Sequence, residues 1–96
     1  MFAIAFDMVV ADLETFYGTP YHQAYYDIKN VLKRHQFDWI QGSTYLTASD
    51  DLSVVFDAIN ALSDIEWFAH SVRDIRAFKV ENWSDFTASV KRKIKK

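Results

Sequence analysis

The chain contains no cysteine among its 96 residues, which excludes disulfide bonds, thiolate metal sites and cysteine nucleophiles. No stretch approaches the roughly 18 continuous apolar residues that a membrane-spanning helix needs. The N-terminus lacks a basic region and its apolar run contains Asp7, so a secretory signal is not expected. The expected location is therefore the cytoplasm, without a membrane partner.

The chain also lacks an excess of basic residues, since it has 11 Lys and Arg against 13 Asp and Glu. Five of the basic residues lie in the last six positions, which leaves 6 basic and 13 acidic side chains in residues 1–90. A protein that binds nucleic acid mainly through charge is basic over a whole face. Any nucleic-acid contact is therefore expected to be local. The terminal cluster Lys91–Lys96 is either a phosphate-binding arm or a solvated helix end whose cations complement the helix dipole.

Apolar residues make up half of the chain and aromatic residues 17%, which is ample for a folded core. The chain has no repeat, low-complexity tract or linker. Its length and composition predict one domain over residues 1–96.

The first half of the chain predicts one strand and one long helix. Large and small side chains alternate over Phe2–Val9, which predicts a strand whose large side chains face the helices. Residues 10–18 are expected to form a loop. Thr19 and Pro20 are typical of a helix start, and the helix is expected to reach about Gln36. Its apolar stripe has helical spacing: Tyr21, Ala24, Tyr25, Ile28, Val31 and Leu32.

The second half predicts three more strands and two helices. Residues 37–40 and 43–47 are predicted strands, joined at Gln41 and Gly42. Ser49 is expected to cap a second helix, residues 67–71 to form a connection, and residues 72–80 to form the last strand. Ser84 is expected to cap a short terminal helix that contains Phe86, Val90 and Ile94. The order β-α-β-β-α-β with an extra C-terminal helix is that of the α+β ferredoxin-like fold.

This topology brings polar residues together at one edge of the sheet. With strand order 4-1-3-2 and antiparallel neighbours, the C-terminal end of strand 1 lies beside the N-terminal ends of strands 3 and 4. Ala3 and Ala5 should lie on an open sheet face, which a second subunit would cover around a two-fold axis. The edge, which we call the Asp7 rim, collects five residues from four segments: Asp7, Gln41, Ser43, Arg73 and Asp74.

Five segments carry a further signal: Phe2–Asp7, Gln41–Tyr45, Ile65–Trp67, Ser71–Phe78 and Trp83–Thr87. They resemble the virulence-associated protein D (VapD) family over nearly the whole chain. That family is similar in fold to the small CRISPR-associated spacer-acquisition endoribonuclease family, which shares the aspartate after the first strand and a Gln-x-Ser step before the third. The resemblance implies a homodimeric, ferredoxin-like endoribonuclease that cleaves RNA. In some members it implies the toxin of a toxin–antitoxin pair, with a cognate antitoxin protein as partner.

Asp7 is the candidate catalytic carboxylate, as a general base or a metal ligand at a phosphodiester. The alternative is an aspartate at a strand end that accepts backbone N–H bonds. Two Asp7 carboxylates near a two-fold axis would repel each other or share a divalent cation. Carboxylates without other ligand types suit Mg²⁺ or Mn²⁺ better than Zn²⁺. The sequence leaves the use of a metal open.

Asp74 is either a second catalytic acid or an acid that its arginine neighbours neutralise. In the first case Arg73 and Arg76 would bind phosphate bidentately. Ser43 either binds a phosphate, orients Asp7 or serves as a turn residue.

Three further residues are candidates for the substrate site. Gln41 and Tyr45 are candidates for contacts with an RNA base, by hydrogen bonding or stacking. Leu13, after strand 1, is a candidate for packing beside Asp7.

The remaining aromatic and imidazole side chains are expected to be structural. The three histidines, His22, His35 and His70, have no metal-ligand spacing, which leaves acid–base chemistry to carboxylates and predicts slow turnover. The three tryptophans are expected to anchor the core: Trp39, Trp67 and Trp83.

Two functions of other classes stay open on the residues alone. The first is a non-catalytic dimeric interaction module that binds a partner protein or nucleic acid. The second is a small-molecule binding domain, which ranks last because the sequence indicates no enclosed apolar pocket.

Overall fold

The structure, a computed structural model, describes residues 1–94, so Lys95 and Lys96 of the terminal basic cluster lie outside the described residues. No helix within this range combines the length and apolar character that crossing a membrane requires. The elements are β1 (Phe2–Met8), α1 (Val10–Phe16), α2 (His22–Arg34), β2 (Asp38–Gln41), β3 (Thr44–Thr47), α3 (Leu52–Ser63), α4 (Glu66–Ser71), β4 (Val72–Lys79) and α5 (Thr87–Lys91).

The four strands form one antiparallel sheet in the order β2-β3-β1-β4. This confirms the predicted α+β, ferredoxin-like arrangement. The pairing of β1 with β4 places Asp7 opposite Asp74 and Met8 opposite Val72, so Arg73 is an extra residue on β4. Such a two-against-one step is a β-bulge.

The core lies between the sheet and the helices. The large side chains of β1 (Ile4, Phe6 and Met8) are buried there, as the alternation predicts. The helices add one buried stripe from α2 and another from α3: Ala24, Ile28, Leu32, Val55, Ala58 and Leu62. Burial of one large aliphatic side chain stabilises a fold by about 1.5–3 kcal/mol. These stripes therefore fix the helices on the sheet and, with them, the ends of the strands.

Residues 10–16 form helix α1, so the predicted loop was wrong over this range. Val9 occupies the N-cap position and makes no side-chain capping bond, so the usual start signal is missing. Leu13 is fully buried in the core and holds the helix there. Gly18 follows the last turn with φ +118°, a conformation that suits glycine because it has no Cβ.

The predicted connection at residues 67–71 was wrong as well, because Glu66–Ser71 form helix α4. Its N-cap is Ile65, again without a side-chain capping bond. Phe68 is buried and its ring meets Phe6 edge to face at 5.6 Å between centroids. The burial of one aromatic ring thus supports a helix of six residues.

Three predicted helix starts are each displaced by two residues. Helix α2 begins at His22, after the Thr19–Pro20 step. Helix α3 has Asp51 as its N-cap, whose Oδ1 accepts a hydrogen bond from the Ser53 amide at 2.9 Å. The hydroxyl of Ser49 accepts instead from the Asp51 amide. Helix α5 begins at Thr87, after the predicted cap at residue 84.

The chain after β4 crosses the sheet. Val80 donates its amide hydrogen to the carbonyl of Met1, at one end of β1. The following segment reaches Ile40 and Gln41 on the edge strand β2, where it lines a cleft of about 620 Å³. Ala3 is only 2% exposed, so the sheet face that we expected to be open is covered at this position.

Candidate functional site

The Asp7 rim begins with two carboxylates on adjacent strands. Asp7 of β1 lies directly opposite Asp74 of β4. Directly opposed side chains on antiparallel strands lie on the same face, with their Cβ atoms about 4.5–5.5 Å apart. The two side chains are 63% and 50% exposed, so both are accessible to a ligand.

Each of these carboxylates has its own arginine. Arg73 donates from Nη1 to Asp7 Oδ2 at 3.2 Å. Arg76 donates from Nε to both carboxylate oxygens of Asp74, at 3.3 and 3.1 Å. The two guanidinium groups balance the two negative charges. A guanidinium has five N–H donors, so most donors of both arginines remain for an anionic ligand.

Ser43 lies next to this pair of strands. Its carbonyl accepts a hydrogen bond from the amide of Phe6 at 3.1 Å, which places it beside the residue that precedes Asp7. The structure therefore brings Asp7, Ser43, Arg73 and Asp74 to one rim, as the topology predicts. Their individual roles stay predictions.

Gln41 lies at the end of β2, opposite Thr44. Its side chain lines the cleft beside the C-terminal segment that includes Trp83 and Phe86. Within residues 1–94 no hydrogen bond joins it to Asp7. It therefore belongs to the outer edge of the rim.

Tyr25 on α2 is a neighbour of Asp7 that the sequence did not single out. Burial raises the pKa of the Tyr25 phenol, and the nearby Tyr21 and the negative charge of Asp7 raise it further. The phenol is therefore protonated at neutral pH. Its place in the helical stripe predicted only a core role.

Tyr45 and Leu13 lie deeper than the rim. The ring of Tyr45 is buried and stacks on Phe6, with 6.0 Å between centroids and 12° between planes. Burial raises the pKa of its hydroxyl. Leu13 is fully buried in α1, in the same core cluster as Phe6. Both residues support the end of β1 from the core side.

A second feature adjoins the rim, a cleft of about 520 Å³ between α2 and the β2–β3 hairpin. Trp39 lines this cleft and is 50% exposed, so the predicted core anchor is wrong for this tryptophan. Trp83 is half exposed as well, whereas Trp67 packs against the core as predicted. Trp39 lies on an edge strand, where one side of the ring has no neighbouring strand to cover it. We call this cavity the aromatic cleft. Its lining residues are Tyr25, Tyr26, Lys29, Trp39, Gly42, Ser43 and Tyr45.

In the part of the chain that the structure describes, no hydrogen bond or ion pair joins a histidine to Asp7 or Asp74. The ring of His70 stacks on Phe16 at 4.2 Å, and its Nε2 is 4.0 Å from Glu66. His22 stacks on Tyr21. Among the described residues no three His, Asp or Glu side chains are grouped so that they could hold a metal ion.

Curated proteins similar to this chain share nearly its full length. An "Endoribonuclease VapD" from Dichelobacter nodosus is 57% identical over 91 residues, which is 95% of this chain and 98% of the relative. An "Endoribonuclease VapD 1" from Riemerella anatipestifer is 55% identical over 86 residues, 90% of this chain and 97% of the relative. An "Endoribonuclease VapD" from Helicobacter pylori is 53% identical over 93 residues, 95% of this chain and 99% of the relative.

No family model matches the chain. Identity above 50% across almost the entire length of several relatives is sufficient on its own to assign the family. The chain therefore belongs to the VapD family.

Proposed function

We propose that this protein is an endoribonuclease that cleaves RNA phosphodiester bonds at the Asp7 rim. The names of its relatives support the activity. The observation that carries the assignment to the rim is the pairing of two exposed carboxylates, Asp7 and Asp74, each with an arginine at hydrogen-bond distance. Acid–base groups and anion-binding groups thus stand side by side.

In this proposal Asp7 is the general base. It takes the proton of the hydroxyl that attacks phosphorus, the new P–O bond forms, and the bond to the leaving oxygen breaks. In the same proposal Asp74 is the second acid, from which that leaving oxygen takes its proton. Arg73 and Arg76 donate hydrogen bonds to the non-bridging oxygens, where negative charge grows in the transition state. Ser43 contributes a further contact to the phosphate.

A divalent cation fits the same two carboxylates. Asp7 and Asp74 offer oxygen ligands, which suit Mg²⁺ or Mn²⁺. When bound, such an ion would neutralise charge on the phosphate. The test below therefore includes a chelator.

The test compares RNA cleavage by the wild type, Asp7→Asn and the control Asp57→Asn on a gel, with and without EDTA. Asp57 is exposed in the middle of α3, away from the rim. We expect Asp7→Asn to lose at least about 100-fold in rate, the typical contribution of a general base, and Asp57→Asn to cleave like the wild type. Cleavage by Asp7→Asn at the wild-type rate would place the chemistry elsewhere. RNA binding without cleavage by any variant would favour a non-catalytic interaction module.

We further propose that the protein is a homodimer, with the C-terminal segment as its contact surface. Four large apolar side chains of this segment are more than half exposed: Trp83, Phe86, Val90 and Ile94. The last three are spaced four residues apart, at the N-cap of α5, on α5 and just beyond it, and we call them the apolar stripe. Phe78 on β4 is also exposed. A patch of this kind on a small domain marks an interaction surface, and a second copy is the partner that the resemblance implies.

A cognate antitoxin protein and a location in the cytoplasm stay predictions. The slow turnover expected from carboxylates without a histidine pair is part of the same proposal. The rate measured in the cleavage assay tests it directly.

A further inference from the structure

We propose that the aromatic cleft is a nucleobase-binding subsite that holds one unpaired base of a single-stranded RNA beside the Asp7 rim. This inference depends on the proposed RNA substrate and specifies how that substrate is held. The sequence suggests a base contact for Tyr45 and a phosphate contact for Ser43. Neither the sequence nor the names of the relatives assign a binding role to Trp39, Lys29 or the cleft they line. Three observations carry the inference.

The first observation is an exposed aromatic platform in a fixed orientation. The indole Nε1 of Trp39 donates a hydrogen bond to the carbonyl of Gly42 at 2.8 Å, which ties the ring to the hairpin turn. Half of the side chain stays exposed. A ring that is both held and exposed offers its face to a ligand without first being ordered, which reduces the entropy cost of binding.

The second observation is the combination of a cation with aromatic rings. Lys29 Nζ lies 5.3 Å from the centroid of the Trp39 ring, at cation–π distance. Tyr26, on the same helix, is exposed at the wall of the cleft. Single-stranded RNA is bound by this combination, since unpaired bases stack on aromatic side chains while lysine contacts the backbone phosphate.

The third observation is the continuity of the cleft with the rim. Ser43 lines the cleft, and its carbonyl bonds to the amide of Phe6, next to Asp7. Tyr25 lines the cleft as well, and the charge of Asp7 contributes to its raised pKa. A base in the cleft would therefore lie next to Ser43, the residue that the cleft shares with the rim. An apolar peptide or an uncharged small molecule would offer no anion to Lys29.

The test uses a labelled, mixed-sequence, single-stranded RNA of about 12 nucleotides. This length is on the order of what one small domain contacts. Its dissociation constant is measured by fluorescence anisotropy in an Asp7→Asn background, so that the probe stays intact. We expect Trp39→Leu, which removes the aromatic face, to weaken binding about tenfold, and Trp39→Phe to retain most of the affinity.

Lysine and arginine variants on the same helix provide the matched charge control. Lys29→Met is expected to weaken binding and to reduce the dependence of affinity on salt, because one phosphate contact is lost. Arg34→Met removes a cation from the last turn of α2, outside the lining of the cleft, and is expected to leave the affinity unchanged. Equal losses in both variants would show a general charge effect and overturn the subsite.

Two measurements separate stacking from damage to the hairpin. The RNA should quench the tryptophan fluorescence of the Asp7→Asn protein. The Trp39→Phe variant should lose this quenching and keep its melting temperature. An abasic ribose-phosphate oligomer of the same length should bind the Trp39→Leu variant and the Asp7→Asn background protein with equal affinity. If Trp39→Leu weakens RNA and the abasic oligomer equally, or if the quenching persists in Trp39→Phe, the subsite is overturned.

Failure of the subsite is distinguishable from failure of the proposed function. If the wild type cleaves RNA and Trp39→Leu, with Asp7 intact, has an unchanged KM, only the subsite is overturned. If the wild type does not cleave but binding depends on Trp39, the endoribonuclease function is overturned and the subsite stands.

Discussion

At the scale of single residues, the rim joins charged groups whose pairing contributes little to stability. Asp7 and Arg73 form an ion pair in which both side chains are more than 60% exposed. Ion pairs of this exposure contribute about 0–1 kcal/mol to folding, because water and salt screen them. The directly opposite Asp74 also repels Asp7, which offsets part of that gain.

We therefore expect Asp7→Asn to fold normally while it loses activity. The free energy of unfolding should change by less than about 1 kcal/mol, since the lost ion pair and the relieved repulsion have opposite signs. Urea denaturation followed by circular dichroism measures this change. A variant that is strongly destabilised would show that Asp7 serves the fold, and its lost activity would then say nothing about catalysis.

The residues of the site differ in how well the sequence predicts them. The positions of Asp7, Ser43 and Asp74 follow from the strand order, because they end or begin neighbouring strands. Arg73 reaches Asp7 because of the bulge in β4, which the strand order does not predict. The aromatic cleft depends on how α2 packs beside an edge strand. Neither a stripe nor an alternation encodes that packing, although Tyr25 and Lys29 are four residues apart and share a helix face.

At the scale of the elements, the long patterns predict structure, whereas two short helices without start signals escape prediction. The alternation in β1 and the stripes of α2 and α3 gave the correct element types. Helices α1 and α4 have seven and six residues, and their N-cap residues, Val9 and Ile65, make no side-chain capping bond. Tertiary burial of Leu13 and Phe68 stabilises them, and a local pattern cannot show such burial.

Leu13→Ala tests whether α1 is part of the core. Leu13 is fully buried, so the truncation should cost about 2–5 kcal/mol of unfolding free energy. Glu14→Ala, at the exposed neighbouring position, should cost little. Chemical denaturation of the two variants measures the difference. Equal stabilities would contradict the placement of α1 against the core.

Asp51 tests the start of α3. The hydrogen bond from the Ser53 amide holds the pKa of the Asp51 carboxyl below its usual value. Its contribution to stability is therefore complete above the unfolded-state pKa, and it is lost as the pH falls through the lower pKa of the folded state. Asp51→Ala should lower the melting temperature at neutral pH by a few degrees.

Asp51→Asn provides the matched control, because asparagine keeps the accepting oxygen and cannot be protonated in this range. This variant should melt close to the wild type at neutral pH. It should also lose less stability than the wild type when the pH is lowered from about 4 to 2. Melting temperatures of both proteins across this pH range measure the difference. Equal losses of stability in the wild type and Asp51→Asn would exclude Asp51 as the titrating cap.

At the scale of the whole molecule, charge and apolar surface are separated. Residues 1–90 are acidic overall, whereas the C-terminal segment combines lysine and arginine with the exposed apolar stripe. An acidic domain disfavours RNA over most of its surface. In the proposed function, RNA binding then depends on local cations, among them Lys29 at the cleft and the two arginines at the rim.

Val90→Asp tests the proposed dimer contact. A charge in the apolar stripe would have to be buried without a partner at the interface, so the dimer should dissociate. Light scattering coupled to size-exclusion chromatography measures the mass. Phe56→Asp, on an exposed position of α3, should leave the mass unchanged. A wild type of 11.2 kDa would refute the dimer, and a dimeric Val90→Asp protein would place the contact elsewhere.

Because of the bulge in β4, the geometry of the rim depends on the number of residues at the start of that strand. In a regular ladder, residues 73 and 74 would point to opposite sides, and the guanidinium of Arg73 would turn toward the helices. The extra residue lets Arg73 reach Asp7 while Asp74 stays opposite the same carboxylate. Deleting one residue here would part these charges even if every side chain type were retained. The spacing from Val72 to Asp74 is thus as much a determinant of the rim as the charges themselves.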